Sequence, residues 1–154
     1  MSICCFIGHR TIYNIPAVKE RVKDLVQGLI ENGVKTFYNG GMGKFDALCA
    51  SAVHDLKREY GDLNNVLISP YPKVDKYKAR LFDEVIYPSL EKVHPKYAIL
   101  YRNKYMVDNS AYAITYVTHP WGGAAQTLEY AKKRGLYIIL SLIHISEPTR
   151  QAEI

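Results

Sequence analysis

Short, continuous apolar runs alternate with longer stretches in which apolar residues recur every three or four positions, and glycine-rich turns join the two. That alternation admits few architectures. The run Ile3-Cys4-Cys5-Phe6-Ile7-Gly8 reads as a strand covered on both faces. After it, Pro16 suits a first helical turn, Val18, Val22, Leu25, Val26, Leu29 and Ile30 share one face, and Gly33 stops the helix. A strand over residues 34–38 leads into Asn39-Gly40-Gly41-Met42-Gly43-Lys44. A second helix follows with Phe45, Leu48, Cys49, Ala52, Val53 and Leu56 on one face and Gly61 at its end. Further strands are predicted over residues 66–69, 112–117 and 136–139, and a helix over 95–107. A helical piece and a short strand at 84–87 fall within the mixed segment 73–90, and a last helix ends at Arg134 beside the basic Lys132 and Lys133. Strands and helices in this order predict one α/β domain of three layers with a mainly parallel sheet.

At 154 residues the chain is long enough to hold a core without metal or disulfide. Its three cysteines agree with that. Cys4 and Cys5 are neighbours on a strand, so their side chains point to opposite faces, and Cys49 is left over. Buried thiols in a reducing cytoplasm are therefore expected, with no metal and no cofactor. No apolar run approaches the roughly 20 residues that a membrane helix needs, so no membrane partner is expected. The net charge of +5 suits an anionic ligand or nucleic acid without choosing between them.

Three turns carry the candidate chemistry: Gly8-His9-Arg10, Gly40-Gly41-Met42-Gly43 and Trp121-Gly122-Gly123. Each lies between a predicted strand and a predicted helix. In a parallel sheet such turns share the carboxyl edge, where helix N-termini offer free N–H groups to phosphate. Neither the dinucleotide G-x-G-x-x-G nor the P-loop pattern is present.

The segments Phe6 to Arg10, Gly40 to Asp46, Arg102 to Ser110 and Gly122 to Ala131 resemble, in order, the signature blocks of the small YpsA-like proteins of the SLOG superfamily. That superfamily also groups the DNA-processing Smf/DprA proteins and the LOG-type phosphoribohydrolases. The resemblance covers residues 3–139 and implies a Rossmann-like fold binding a nucleotide or nucleotide derivative in a glycine-rich cleft. It implies ligand contacts from Gly8, His9, Arg10, Gly40, Gly41, Gly43, Asp46, Arg102, Asp108, Gly122, Gly123 and Thr127.

Each residue also has a plainer role. Arg10 is a phosphate fork or an ordinary surface arginine. Gly40, Gly41 and Gly43 cradle phosphate or simply turn the chain. On the first view, Gly41→Val costs affinity more than stability. Asp46 binds a ribose hydroxyl or stabilises its helix N-terminus. His9 is an acid-base group or a backbone-bonded imidazole. Tyr97, Tyr101 and Tyr105, ahead of Asp108, share a helical face that packs in the core or stacks a base. Trp121 lines the cleft or covers the adjacent helix. Lys73, Lys76, Lys78 and Arg80, interleaved with Tyr71 and Tyr77, touch nucleic acid or form a solvated face.

Three functions follow. The foremost is a nucleotide-binding sensor or regulator whose partner is a small nucleotide-type ligand. The second is a LOG-like enzyme splitting the N-glycosidic bond of nucleoside monophosphates. LOG enzymes carry P-G-G-x-G-T-x-x-E, and Gly122, Gly123 and Glu129 keep that spacing. Trp121, Ala125 and Gln126 break it, so Glu129 is a weak catalytic candidate beside Lys132 and Lys133. DprA-like binding of single-stranded DNA ranks last, and a homo-oligomer is left open. Residues 140–154 resemble a translated sequencing adapter, which implies a metagenomic reading frame, and a bacterial or phage origin is expected. The natural domain is then 1–139, with residues 146–154 packing poorly and residues 140–145 prolonging the last strand.

Overall fold

The computed structural model describes residues 2–141. Six strands, β1 (Ile3–Gly8), β2 (Thr36–Asn39), β3 (Asn64–Ile68), β4 (Glu84–Ile86), β5 (Tyr112–Tyr116) and β6 (Tyr137–Leu140), form one sheet in the order β4-β3-β2-β1-β5-β6. Every pairing is parallel, with Phe6 opposite Ile114 and Cys5 opposite Tyr38. Parallel neighbours need crossovers, and the helices supply them.

The helices α1 (Ile15–Glu31) and α2 (Gly43–Tyr60) cover one face, while α4 (Ala98–Asp108) and α5 (Gly123–Lys133) cover the other. The short α3 (Lys76–Ala79) buries no side chain. Strand alternation divides the core into two layers. Cys4, Phe6, Phe37 and Ile114 pack with Val18, Val22, Val26, Leu48 and Val53 on the α1/α2 side. Cys5, Ile7, Val66, Ile68 and Ala113 pack with Met106, Val107, Leu128 and Ala131 on the α4/α5 side. Burying each such aliphatic side chain contributes about 1.5–3 kcal/mol. Cys4 and Cys5 therefore point to opposite faces as expected, and all three thiols are free and buried. Burial pushes the Cys5 thiol up to about 12.

The fold is thus the three-layer, Rossmann-like α/β arrangement expected, with local differences. β3 starts at Asn64 rather than 66. Two polar residues open it because Asn64 Nδ2 donates to Glu84 and buried Asn65 Nδ2 to the Ala50 and Leu81 carbonyls. The helix expected from Pro95 begins with a 3₁₀ turn, Pro95–Tyr97, capped by His94 Nδ1 accepting the Lys96 N–H. Beyond residue 139, Leu140 completes β6, and Ser141 bonds the Thr115 carbonyl through both N–H and hydroxyl. The expectation for residues 146–154 lies outside the described residues. Among the described residues no helix is long and apolar enough to cross a membrane.

The chain runs from β1 outward through β2, β3 and β4, then returns across the sheet to β5 on the other side of β1. Helix placement switches faces at that return. A crevice opens outside the carboxyl ends of β1 and β5, where doubly wound sheets bind ligands.

Candidate functional site

That crevice is a cleft of about 470 Å³, within the size range of small-molecule sites. Its walls come from the residues after β1, from Met42 between β2 and α2, from Asp46 in the first turn of α2, from α4, and from the segment joining β5 to α5. Of the expected contacts it brings together Gly8, His9, Arg10, Asp46, Arg102, Gly122, Gly123 and Thr127. Gly40, Gly41, Gly43 and Asp108 do not line it.

The Gly40-Gly41-Met42-Gly43 turn stands on the expected sheet edge, but two of its donors and that of the next residue are occupied. Gly41 N–H bonds Asn39 Oδ1 (2.7 Å), Met42 N–H bonds Asp46 Oδ2 (3.0 Å) and Lys44 N–H bonds the Arg10 carbonyl (2.8 Å). These glycines serve close packing. A Cβ on Gly41, whose φ is +70°, would stand 2.5 Å from Leu67 Cδ1. Gly41→Val is accordingly expected to destabilise the fold, by about 2 kcal/mol in denaturant melts, before any effect on affinity. This reverses the order expected from the sequence.

The N-terminus of α5 differs. Its first closing bond is Gln126 N–H to the Gly122 carbonyl (3.0 Å), and no side chain caps it. The N–H groups of Gly123, Ala124 and Ala125 therefore have no intrahelical acceptor, at the end of the helix that carries partial positive charge. Gly122, Gly123 and Ala124 face the cleft. Behind them a polar chain ties α4 to α5. Arg102 Nε donates to Asn103 Oδ1, Asn103 Nδ2 to Thr127 Oγ1, and Thr127 Oγ1 to the Gly123 carbonyl.

Arg102 is 2% exposed. Its Nη1 donates to the Gly40 carbonyl (2.6 Å) and the Ile68 carbonyl (2.9 Å), stapling the ends of β2 and β3. Burial presses its pKa down while the charge of Asp46 pushes it back. Asp46, also buried, is raised to about 6 by burial, against the opposing Met42 N–H and the charges of Arg102, Arg10 and Lys78. A carboxyl favoured in its neutral form stabilises the fold fully below about pH 4, and that contribution is lost as pH rises through about 6. Asp46→Asn keeps an acceptor for the Met42 N–H and removes the charge. The wild type should therefore lose stability relative to this variant between about pH 4 and 7, measured by melts across that range.

His9 Nε2 accepts the Thr118 N–H at 2.8 Å, which leaves the proton on Nδ1. Burial, then the nearby His119, lowers its pKa, which favours the neutral ring. Its ring stacks on His119 at 3.9 Å, and His119 stacks on Trp121 at 4.0 Å. Both partners line the cleft. His119 was absent from the sequence-derived site; its only sequence signal is the two-residue spacing from Trp121.

The remaining candidates lie elsewhere. Asp108, at the carboxyl end of α4, accepts the Tyr130 hydroxyl (2.7 Å) and pairs with Arg134 (3.2 Å). Tyr97 and Tyr101 are exposed beneath Lys96 and Lys104, whereas Tyr105 stacks on Tyr38, so the three tyrosines form no common platform. Glu129 is exposed and bonds Lys132 (3.4 Å) outside the cleft. Arg80 lies over the Tyr77 ring, 3.6 Å from its centre. Among the described residues no cluster of His, Cys, Asp and Glu suits a metal.

No protein-family model matches the chain, and no curated protein does. Solved structures do share its fold. DNA processing protein A (DprA) from Streptococcus pneumoniae superposes with a TM-score of 0.66 at 18% identity over 91% of this chain and 50% of that one. This chain thus spans half the length of that protein. DprA from Helicobacter pylori, described with its single-stranded DNA binding mode, gives 0.60 at 17% identity over 99% and 71%. The molybdenum cofactor carrier protein of Chlamydomonas reinhardtii gives 0.57 at 15% over 91% and 76%. The fold is the one implied by the sequence resemblance to the group that includes DprA.

Proposed function

We propose that this protein binds a nucleotide or nucleotide derivative in the cleft outside β1 and β5, as a ligand sensor or regulator. The observation that carries the reading is the uncapped N-terminus of α5, whose first residues Gly123 and Ala124 line the same cleft as Arg10 and Arg102. A phosphate there takes several backbone donors and a guanidinium fork from Arg10. Asp46, on the opposite wall, is an acceptor for sugar hydroxyls. His9 serves as a backbone-bonded spacer rather than a proton carrier, since its acceptor nitrogen is already engaged.

The test is thermal-shift measurement of the purified protein with mononucleotides, dinucleotides, ADP-ribose and a single-stranded oligonucleotide. A ligand at a hundredfold excess over its Kd adds about 2.7 kcal/mol to stability. A nucleotide response above that of the oligonucleotide is expected; a flat panel overturns the reading, and an oligonucleotide response alone favours nucleic acid.

The carboxylate that keeps the LOG spacing, Glu129, stands outside the cleft on a solvated ion pair, away from a sugar bound there. Glu129→Ala should therefore leave nucleotide affinity unchanged, and chromatography should detect no free base from nucleoside monophosphates with either protein.

A further inference from the structure

Trp121 is 66% exposed although it stands in the wall of a cleft, and it is the only tryptophan in the chain. One face of its indole rests on His119 with 20° between the planes. His119 rests in turn on His9, which is pinned by the Thr118 N–H and meets the Tyr116 ring edge-on. The column holds the indole from behind and leaves its other face without an aromatic partner among the described residues. An aromatic ring fixed in this way loses little freedom when a second ring settles on it.

From this column we infer that the free face of Trp121 is the stacking surface for the planar heterocyclic base of a nucleoside phosphate. The inference rests on the nucleotide reading of the cleft and names the part of the ligand that the anion-binding groups do not reach. Trp121 precedes Gly123 by two residues, so their Cα atoms lie within about 7 Å of each other. The base surface and the phosphate donors are thus separated by roughly one sugar. Ile99, Met106 and Ala124 add apolar wall around the same space. Stacking accepts any base, because every base has a π-face, and contributes about 1–3 kcal/mol per base.

The single tryptophan makes the test direct. AMP, ribose 5-phosphate and inorganic phosphate are titrated into the wild type and into Trp121→Ala and Trp121→Phe. Fluorescence is read in the wild type and calorimetry in all three proteins, and unliganded melts check folding. AMP should quench Trp121 while ribose 5-phosphate binds without quenching. Trp121→Ala should weaken AMP about tenfold and ribose 5-phosphate by less than about twofold, with Trp121→Phe restoring most of the loss. If AMP binds the wild type and Trp121→Ala equally, or if the substitution weakens AMP and ribose 5-phosphate alike, the stacking surface is overturned while the phosphate site stands. If neither AMP nor ribose 5-phosphate binds the wild type, both the stacking surface and the nucleotide reading fall.

Discussion

Replacing Gly43 by alanine is expected to cost about 3 kcal/mol of folding free energy, the sum of a left-handed backbone penalty and an overpacked contact. Gly43 has φ +87°, and a Cβ there would stand 2.6 Å from Arg10 Cα and 2.9 Å from Arg10 Cβ. Backbone cannot move aside as a flexible side chain can. The loop after β1 must then retreat from the start of α2, breaking the Lys44 N–H bond to the Arg10 carbonyl. Urea melts should show the loss, against a typical total stability of about 5–15 kcal/mol. Gly28→Ala is the matched control. Gly28 lies inside α1 with nothing within 4 Å of its would-be Cβ, so alanine there should stabilise by about 0.5–1 kcal/mol. Equal effects of the two substitutions would refute the close-packing role of Gly43.

The second large effect is expected from Arg102→Met. Methionine fills part of the same space but leaves the Gly40 and Ile68 carbonyls without their charged donor, at a cost of about 3 kcal/mol. It also removes a cation that holds the Asp46 pKa down, so the carboxyl should rise further above about 6. The fall in stability should still begin near pH 4 but extend to higher pH than in the wild type. Melts of Arg102→Met and of Arg102→Met with Asp46→Asn, compared across pH, separate the two effects: the double variant should lose the pH dependence and keep most of the backbone cost. A single variant as stable as the wild type would remove the stapling role.

The parallel sheet was legible because apolar runs such as residues 3–8 and amphipathic stretches such as 45–56 have periods of different length, and each was long enough to read. The carboxyl-edge location of the glycine turns followed from that sheet. The division of labour between the turns did not. Whether a glycine-rich turn can hold phosphate depends on where its N–H groups already go, and those of Gly41, Met42 and Lys44 go to Asn39, Asp46 and Arg10. Lys44 meets Arg10 only after β1 and β2 pair, a contact across the sheet that no local pattern announces. Asp108 was drawn into the expected site by its place in a signature block. The helix geometry sends it to the far end of α4, beside Tyr130 and Arg134. His119 was overlooked for the converse reason, since ring stacking with His9 joins residues from two different strand ends.

Two helices begin at this cleft, and they begin differently: at the start of α2 the Met42 and Lys44 N–H groups are engaged by Asp46 and the Arg10 carbonyl, while no side chain among the described residues caps α5. The cleft therefore has a direction. An elongated ligand with one anionic end would meet uncapped donors at α5, whereas at α2 it would meet a carboxyl already flanked by the charges of Arg102, Arg10 and Lys78. The two ends of the cleft differ in which backbone donors are already engaged.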